Sequence, residues 1–247
     1  MKDSRRIGAI GDLHFTAAGG GAFREILARA DGAIDALVLC GDLTDRGIPD
    51  EARALARELT SVKAPIVAVL GNHDYESGKQ DEIAAILRDA GVKLLDGEGV
   101  EVGELGFAGA KGFAGGFGDR ALEPWGEPAI KEFVREAVDE SVKLGAALAK
   151  LRTPHKIAVL HYSPVVDTVV GEPPEIYPFL GSTRLSEPID RYGASLVVHG
   201  HAHSGAPEGR TRGGVPVYNV SLPLLRRMYG DPVSLRVLDL APAVATR

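Results

Sequence analysis

Ile7-Gly-Ala-Ile-Gly-Asp12-Leu-His14, Leu37-Val-Leu-Cys-Gly-Asp42 and Ile66-Val-Ala-Val-Leu-Gly-Asn72-His73-Asp74 share one design. Each is a short aliphatic run that reaches a glycine and then stops at residues able to bind metal. Short β-branched and aliphatic runs bounded by glycine read as buried strands. Asp12 and Asp42 lie 30 residues apart, and Asp42 and Asn72 another 30. That interval is about the length of a βαβ unit, and amphipathic stretches from Ala22 to Ala30 and Pro49 to Ser61 fill it with helix. The three polar ends are therefore expected at the carboxyl ends of neighbouring parallel strands, where open α/β sheets bind ligands.

Working outward, Ile157-Ala-Val-Leu-His161 and Leu196-Val-Val-His-Gly-His201-Ala-His203 repeat the design. Helical patterning also marks Gln80 to Ala90 and Pro128 to Arg152, the latter setting Ile130, Phe133, Val134, Ala137 and Val138 on one face. Between Val92 and Lys111 the pattern changes. Val92 to Leu95, Val100 to Val102 and Leu105 to Ala108 are separated by Gly-rich turns and read as antiparallel strands. Val215 to Val220 and Ser234 to Leu240 also read as strands. About ten strands are too many for one compact open sheet. The expectation is a single α/β domain, residues 1–247, with two packed β-sheets (a β-sandwich core) flanked by helices. The Gly/Pro-rich loops 112–126 and 169–182 are expected to shape a substrate pocket.

Composition sets the limits. The 247 residues are 45% hydrophobic and 25% charged with a net charge of −6, which excludes general disorder. The 31 glycines show no three-residue period, so collagen is excluded. Gly19-Gly20-Gly21 is no nucleotide loop, because no Gly-Lys-Ser/Thr follows it. The single cysteine, Cys40, rules out an internal disulfide and reads as an apolar filler. The apolar run after Met1–Arg6 is too short for a signal-peptide core, and no stretch has the ~18 apolar residues of a membrane helix. A cytoplasmic protein without a membrane partner is expected. The acidic balance argues against nucleic acid as a partner; the oligomeric state is not legible.

Five of the seven histidines (His14, His73, His161, His201 and His203) fall in the strand-end motifs beside Asp12, Asp42 and Asn72. Carboxylate, imidazole and amide oxygen together suit Mn²⁺, Fe²⁺ or Zn²⁺. A single cysteine cannot supply the thiolates of a structural cysteine-type zinc site, which excludes one. Setting His73 aside, seven ligand residues are too many for one ion and fit two that share a carboxylate.

Taken together, Gly11-Asp12-Leu13-His14, Gly41-Asp42, Gly71-Asn72-His73-Asp74, His161 and Gly200-His201-Ala202-His203 resemble the metallophosphoesterase (calcineurin-like phosphoesterase) signature. All five blocks stand in the family order, from residue 7 to about residue 220. The resemblance implies two packed sheets flanked by helices. It implies Asp12, His14, Asp42 and His203 on one divalent ion, and Asp42, Asn72, His161 and His201 on the other, with Asp42 bridging and Mn²⁺ favoured. Two such ions clamp an in-line displacement at phosphorus and generate a bridging hydroxide near neutral pH. His73, outside the ligand set, is then free to act as general acid, with Asp74 orienting it. The alternative for Asp74 is a turn cap.

Asp45-Arg46-Gly47 extends the second block in the manner of protein serine/threonine phosphatases, where such an arginine grips phosphate. The alternative for Arg46 is a solvated loop charge. Phe15 stands where that group has glycine, which argues against protein-phosphatase activity. His155 and His199 lie outside the motifs, and His199 reads as a core or supporting residue. The resulting expectation is a hydrolase of small phosphate esters, foremost phosphodiesters including cyclic nucleotides. The alternatives are a nuclease of the same superfamily and a non-catalytic protein-binding scaffold on the same fold.

Overall fold

The computed structural model describes residues 4–19, 21–30, 32–230 and 235–241; the start of the Met1–Arg6 segment, Gly20 and Ser234 lie outside them. The strands are β1 (Arg5–Ile10), β2 (Ala36–Cys40), β3 (Ile66–Val69), β4 (Lys93–Leu94), β5 (Gly99–Val102), β6 (Leu105–Gly109), β7 (His155–Val159), β8 (Leu196–His199), β9 (Glu208–Arg210), β10 (Pro216–Asn219) and β11 (Arg236–Leu240). The helices are α1 (Gly21–Ala30), α2 (Pro49–Leu59), α3 (Gln80–Asp89), α4 (Pro128–Lys150), α5 (Tyr177–Leu180), α6 (Ser186–Arg191) and α7 (Leu222–Tyr229).

The strands form two sheets, ordered β11-β1-β2-β3-β4 and β5-β6-β7-β8-β10-β9. β1, β2 and β3 are parallel neighbours, as the 30-residue spacing requires. β7 likewise runs parallel to β8. One expectation needs correction. β5 and β6 form an antiparallel hairpin, but β4 leaves that group and pairs parallel with β3 at the edge of the first sheet. Its two paired residues, Lys93 and Leu94, are too few to carry a readable strand pattern.

Side chains alternate along each strand, and that alternation builds four layers. Ala36, Val38 and Cys40 of β2 face the second sheet and pack with Phe107, Ile157, Val159 and Val198. Leu37 and Leu39 face outward onto Phe23 and Ile26 of α1, Leu55 of α2 and Ile83 of α3. The outer face of the second sheet, through Ala108, Ala158 and Val197, is covered by Leu144 and Leu148 of α4 and Ile189 of α6. Truncating a buried leucine such as Leu55 to alanine costs about 2–5 kcal/mol.

The buried stripe of α4 also differs from the expected one. Val134 and Ala137 are buried, but Ile130 and Val138 are 40% and 41% exposed, and the stripe continues through Leu144 and Leu148. Successive residues turn by about 100°, so Val138 falls beside the stripe that Ala137 and Leu144 define. Among the described residues no helix is long and apolar enough to cross a membrane.

Candidate metal centre

The polar segments that follow β1, β2 and β3 meet those that follow β7 and β8. Beyond the strands, the backbone of the first sheet keeps its ladder for a further turn: Asp12 N donates to Gly41 O and His14 N to Asp42 O, both at 3.0 Å. Asp12 and Asp42 are each 1% exposed.

Three side-chain clusters result, each with nitrogen and carboxylate oxygen atoms within 4.8 Å of one another: Asp12, His14 and His203; Asp42, His161 and His201; and His14, Asp45 and His73. Asp42 stands between the first two, with Oδ1 3.3 Å from His161 Nε2 and Oδ2 3.9 Å from His14 Nε2. Asp12 Oδ1 is 2.9 Å from His203 Nε2, and Asn72 Oδ1 is 2.9 Å from His161 Nε2. All seven residues expected around two ions therefore gather in one place.

The donor set fits divalent cations. His14 Nε2 is buried without a hydrogen-bond partner, a state that costs desolvation energy and that a cation relieves. His161 donates Nδ1–H to Cys40 O at 3.0 Å, which leaves Nε2 for the cluster. His201 donates Nε2–H to Phe179 O at 3.2 Å, which leaves Nδ1. Carbonyl partners of this kind fix the tautomer of a metal-binding imidazole. Burial, the largest effect on His201, pushes its pKa down to about 3, so the ring is held neutral.

The local backbone is strained in the service of this arrangement. Asp12 (φ 56°), His14 (φ 44°), Asp42 (φ 48°) and His201 (φ 68°) are the non-glycine residues with positive φ among those described, and all belong to the clusters. Such conformations gather where function requires them. The adjoining glycines are explained by close approach. A Cβ on Gly41 (φ 77°) would sit 2.5 Å from His161 Nδ1, and one on Gly71 would run into Asp42 Oδ1.

His73 is half-buried and turns its ring edge-on to His14, centroids 4.5 Å apart. Its Nδ1–H donates to Asp45 O at 2.7 Å. Burial opposes its charged form, but the Asp45 carbonyl and the carboxylates of Asp42, Glu76 and Asp45 together raise its pKa. The orienting group is thus Asp45, not Asp74, and the expected role of Asp74 is corrected. The Asp74 carboxylate is fully buried and accepts from Leu43 N (3.1 Å), Thr44 N (2.8 Å), Thr44 Oγ1 (2.6 Å) and Gly71 N (2.8 Å). It clamps the segment after β2 to the segment after β3. Burial pushes its pKa up to about 6 despite these donors.

Asp45 is the residue that the sequence reading missed. Its carboxylate lies 3.7 Å from His14 Nδ1, and the only signal for it was its place beside Arg46. Arg46 Nε lies 3.8 Å from Asp45 Oδ2, with 78% of the side chain exposed. Loop 169–182 reaches the centre through Phe179 O. It is tied to loop 112–126 by Gly115 N donating to Pro178 O at 2.8 Å. Tyr162 packs its buried ring 4.4 Å from His201.

A family model described as calcineurin-like phosphoesterase matches residues 5–205. No curated protein matches the sequence. Among solved structures the chain is similar to phosphopantetheinyl hydrolase (PptH) from Mycobacterium tuberculosis, with TM-score 0.68, 17% identity and 100% of both chains covered. It is similar to TT1561 of Thermus thermophilus, with TM-score 0.57 and 16% identity over 96% of this chain and 99% of that one. GAP50, the anchor in the inner membrane complex of Plasmodium, matches with TM-score 0.52 and 14% identity over 89% and 72%. At these identities the likeness is one of fold.

Proposed function

This chain belongs to the calcineurin-like phosphoesterase family, and on that premise we propose that it is a dinuclear metal-dependent hydrolase of phosphodiesters, cyclic nucleotides included. The observation that carries the reading is the position of Asp42, with one carboxylate oxygen toward His161 and the other toward His14. Asp12, His14, Asp42 and His203 hold one ion. Asp42, Asn72, His161 and His201 hold the other, with Mn²⁺ favoured by the mixed oxygen and imidazole donors. A bound pair of divalent ions supplies a nucleophile at neutral pH and neutralises charge on the phosphoryl oxygens.

The chain's own residues then divide the remaining work. His73 carries the transferable proton on Nε2, because Nδ1–H is committed to Asp45 O. The carboxylates around it favour the protonated ring, so it is suited to protonate a leaving alkoxide. Asp74 holds the two loops that carry Asp42 and His73 at a fixed separation. Arg46, on the exposed rim, adds at most a weak attraction for substrate phosphate.

A second reading, a protein-binding scaffold, draws on GAP50, an anchor with the same fold. Retention of His73 together with every ligand speaks for the enzyme. A nuclease is disfavoured by the net charge of −6. The test is a panel of phosphomonoesters, phosphodiesters, cyclic nucleotides and a phosphopantetheinylated protein, assayed after loading with Mn²⁺. Hydrolysis of diesters ahead of monoesters is expected. Two bound ions with no hydrolysis of any member would favour the scaffold.

A further inference from the structure

His199 is fully buried at the end of β8, two residues before His201. An aliphatic residue would fill that position at lower cost, because each nitrogen of a buried imidazole costs desolvation energy unless it is bonded. Both are. Nδ1 lies 2.8 Å from Gly200 O, and Nε2 lies 2.8 Å from Thr168 Oγ1. A carbonyl can only accept, so the proton sits on Nδ1 and Nε2 accepts from the Thr168 hydroxyl.

The carbonyl that Nδ1 grips belongs to the same peptide group as the His201 N–H. That N–H donates to both oxygens of Asp12 at 3.0 Å, and the carbonyl also accepts from Ala202 N at 2.8 Å. The peptide plane is thus held from both sides, and it leads into a residue at φ 68°. Rotation of this peptide would break the bond to Asp12 and swing the His201 ring from its place 4.8 Å from His161. Position 200 is glycine because a Cβ there would run into Asp12 Oδ2, and the freedom of a glycine makes an external hold on its peptide matter more.

We propose that His199 is a positioning residue: through Nδ1–H it locks the Gly200–His201 peptide and so holds His201 in the left-handed conformation that aims it at Asp42 and His161. The function assigned to that aim rests on the metal reading above. The lock itself is a property of the chain.

Paired substitutions separate the two ring nitrogens. In His199→Asn the amide nitrogen replaces Nδ1 and keeps the bond to Gly200 O. In His199→Gln it replaces Nε2 and loses that bond. Thr168→Val removes the Nε2 partner and leaves Nδ1 untouched. Two measurements are made: hydrogen exchange of the His201 amide in metal-free protein, and titration with Mn²⁺ alone. In His199→Gln, exchange should quicken about tenfold, and affinity for one ion should fall roughly 10–100-fold, as when a supporting partner of a metal ligand is removed. His199→Asn and Thr168→Val should stay within about threefold of the parent on both readouts. Equal damage from Asn and Gln, or damage from Thr168→Val matching that from Gln, would overturn the proposal. A parent protein that binds no Mn²⁺ would refute the metal reading, while the exchange data would still decide the lock. If His199→Gln fails to fold, loss of His201 protection in His199→Asn overturns the proposal and its retention, with that of Thr168→Val, sustains it.

Discussion

The two sheets bring different chemistry to one centre. The segments after β1, β2 and β3 supply every oxygen donor, Asp12, Asp42 and Asn72, with His14 beside them and Asp45 within reach. The segments after β7 and β8 supply imidazoles alone: His161, His201 and His203. Neither half makes a good cation site by itself. Imidazoles without carboxylates bring no charge to a hard ion, and buried carboxylates without cations are driven toward protonation. Both clusters proposed to hold the ions mix the sheets, so the centre exists only when the sandwich is closed.

Neutralising the carboxylate that faces both clusters should do the most damage. Asp42→Asn should lose at least one ion and at least about 10³-fold in rate on every substrate, since dication pairs contribute several kcal/mol to the transition state. Elemental analysis that still finds two tightly held ions per chain would refute the bridging role. His73 belongs to the oxygen-rich side without being a ligand, and His73→Gln should leave both ions in place. The rate loss should be roughly 10²–10⁴-fold on an alkyl diester and clearly smaller on a p-nitrophenyl diester, whose leaving group needs little proton help. Equal losses, with chemistry rate-limiting, would make His73 a phosphate-binding cation instead.

Asp74 tests whether the first sheet's loops are held by this carboxylate. Asp74→Asn should destabilise the fold by about 1–3 kcal/mol in urea unfolding, because donors now face an amide nitrogen, with a far smaller effect on rate than His73→Gln. The native pKa is pushed up to about 6 from an ordinary 3.8. Between these values the folded, metal-free chain binds more protons than the unfolded one. The proton-linked part of the contribution of Asp74 is therefore fully present below pH 3.8 and is lost as pH rises through about 6, while its hydrogen bonds persist. The asparagine variant should lack that slope. The smallest effect belongs to Arg46→Ala. Its exposed guanidinium should change KM by less than about threefold, and a larger change would bring the rim of the first sheet into substrate binding.

Much of this was legible in the sequence because strand ends leave a local mark. Aliphatic runs closed by Gly-Asp or Gly-Asn, 30 residues apart, mark both the parallel neighbours and the polar side chains they bring to the centre. What was not legible depends on contacts between distant segments. Asp45 has no pattern of its own; its carboxylate matters because His14, which follows a different strand, comes within 3.7 Å. Asp74 sits beside Asn72 and His73, yet its partners are the backbone groups of Leu43, Thr44 and Gly71 and the Thr44 hydroxyl. β9, three residues of mixed polarity at a sheet edge, shows no alternation to read. The left-handed residues are aspartates and histidines, types enriched in that conformation but adopting it only in a small minority of cases, so the residue type alone does not mark which positions take it.

Those four residues have a consequence for how the protein would respond to breeding in the laboratory. A left-handed L-residue costs roughly 1–2 kcal/mol, so Asp12, His14, Asp42 and His201 together carry about 4–8 kcal/mol. That is comparable with the whole folding free energy of a domain, about 5–15 kcal/mol. Lineages selected only to survive heat, with cations withheld, would gain most by placing glycine at these positions. Each step would relax the chain and erase a donor. The sandwich would outlast its own chemistry, and its descendants would be sturdy proteins with nothing left to hydrolyse.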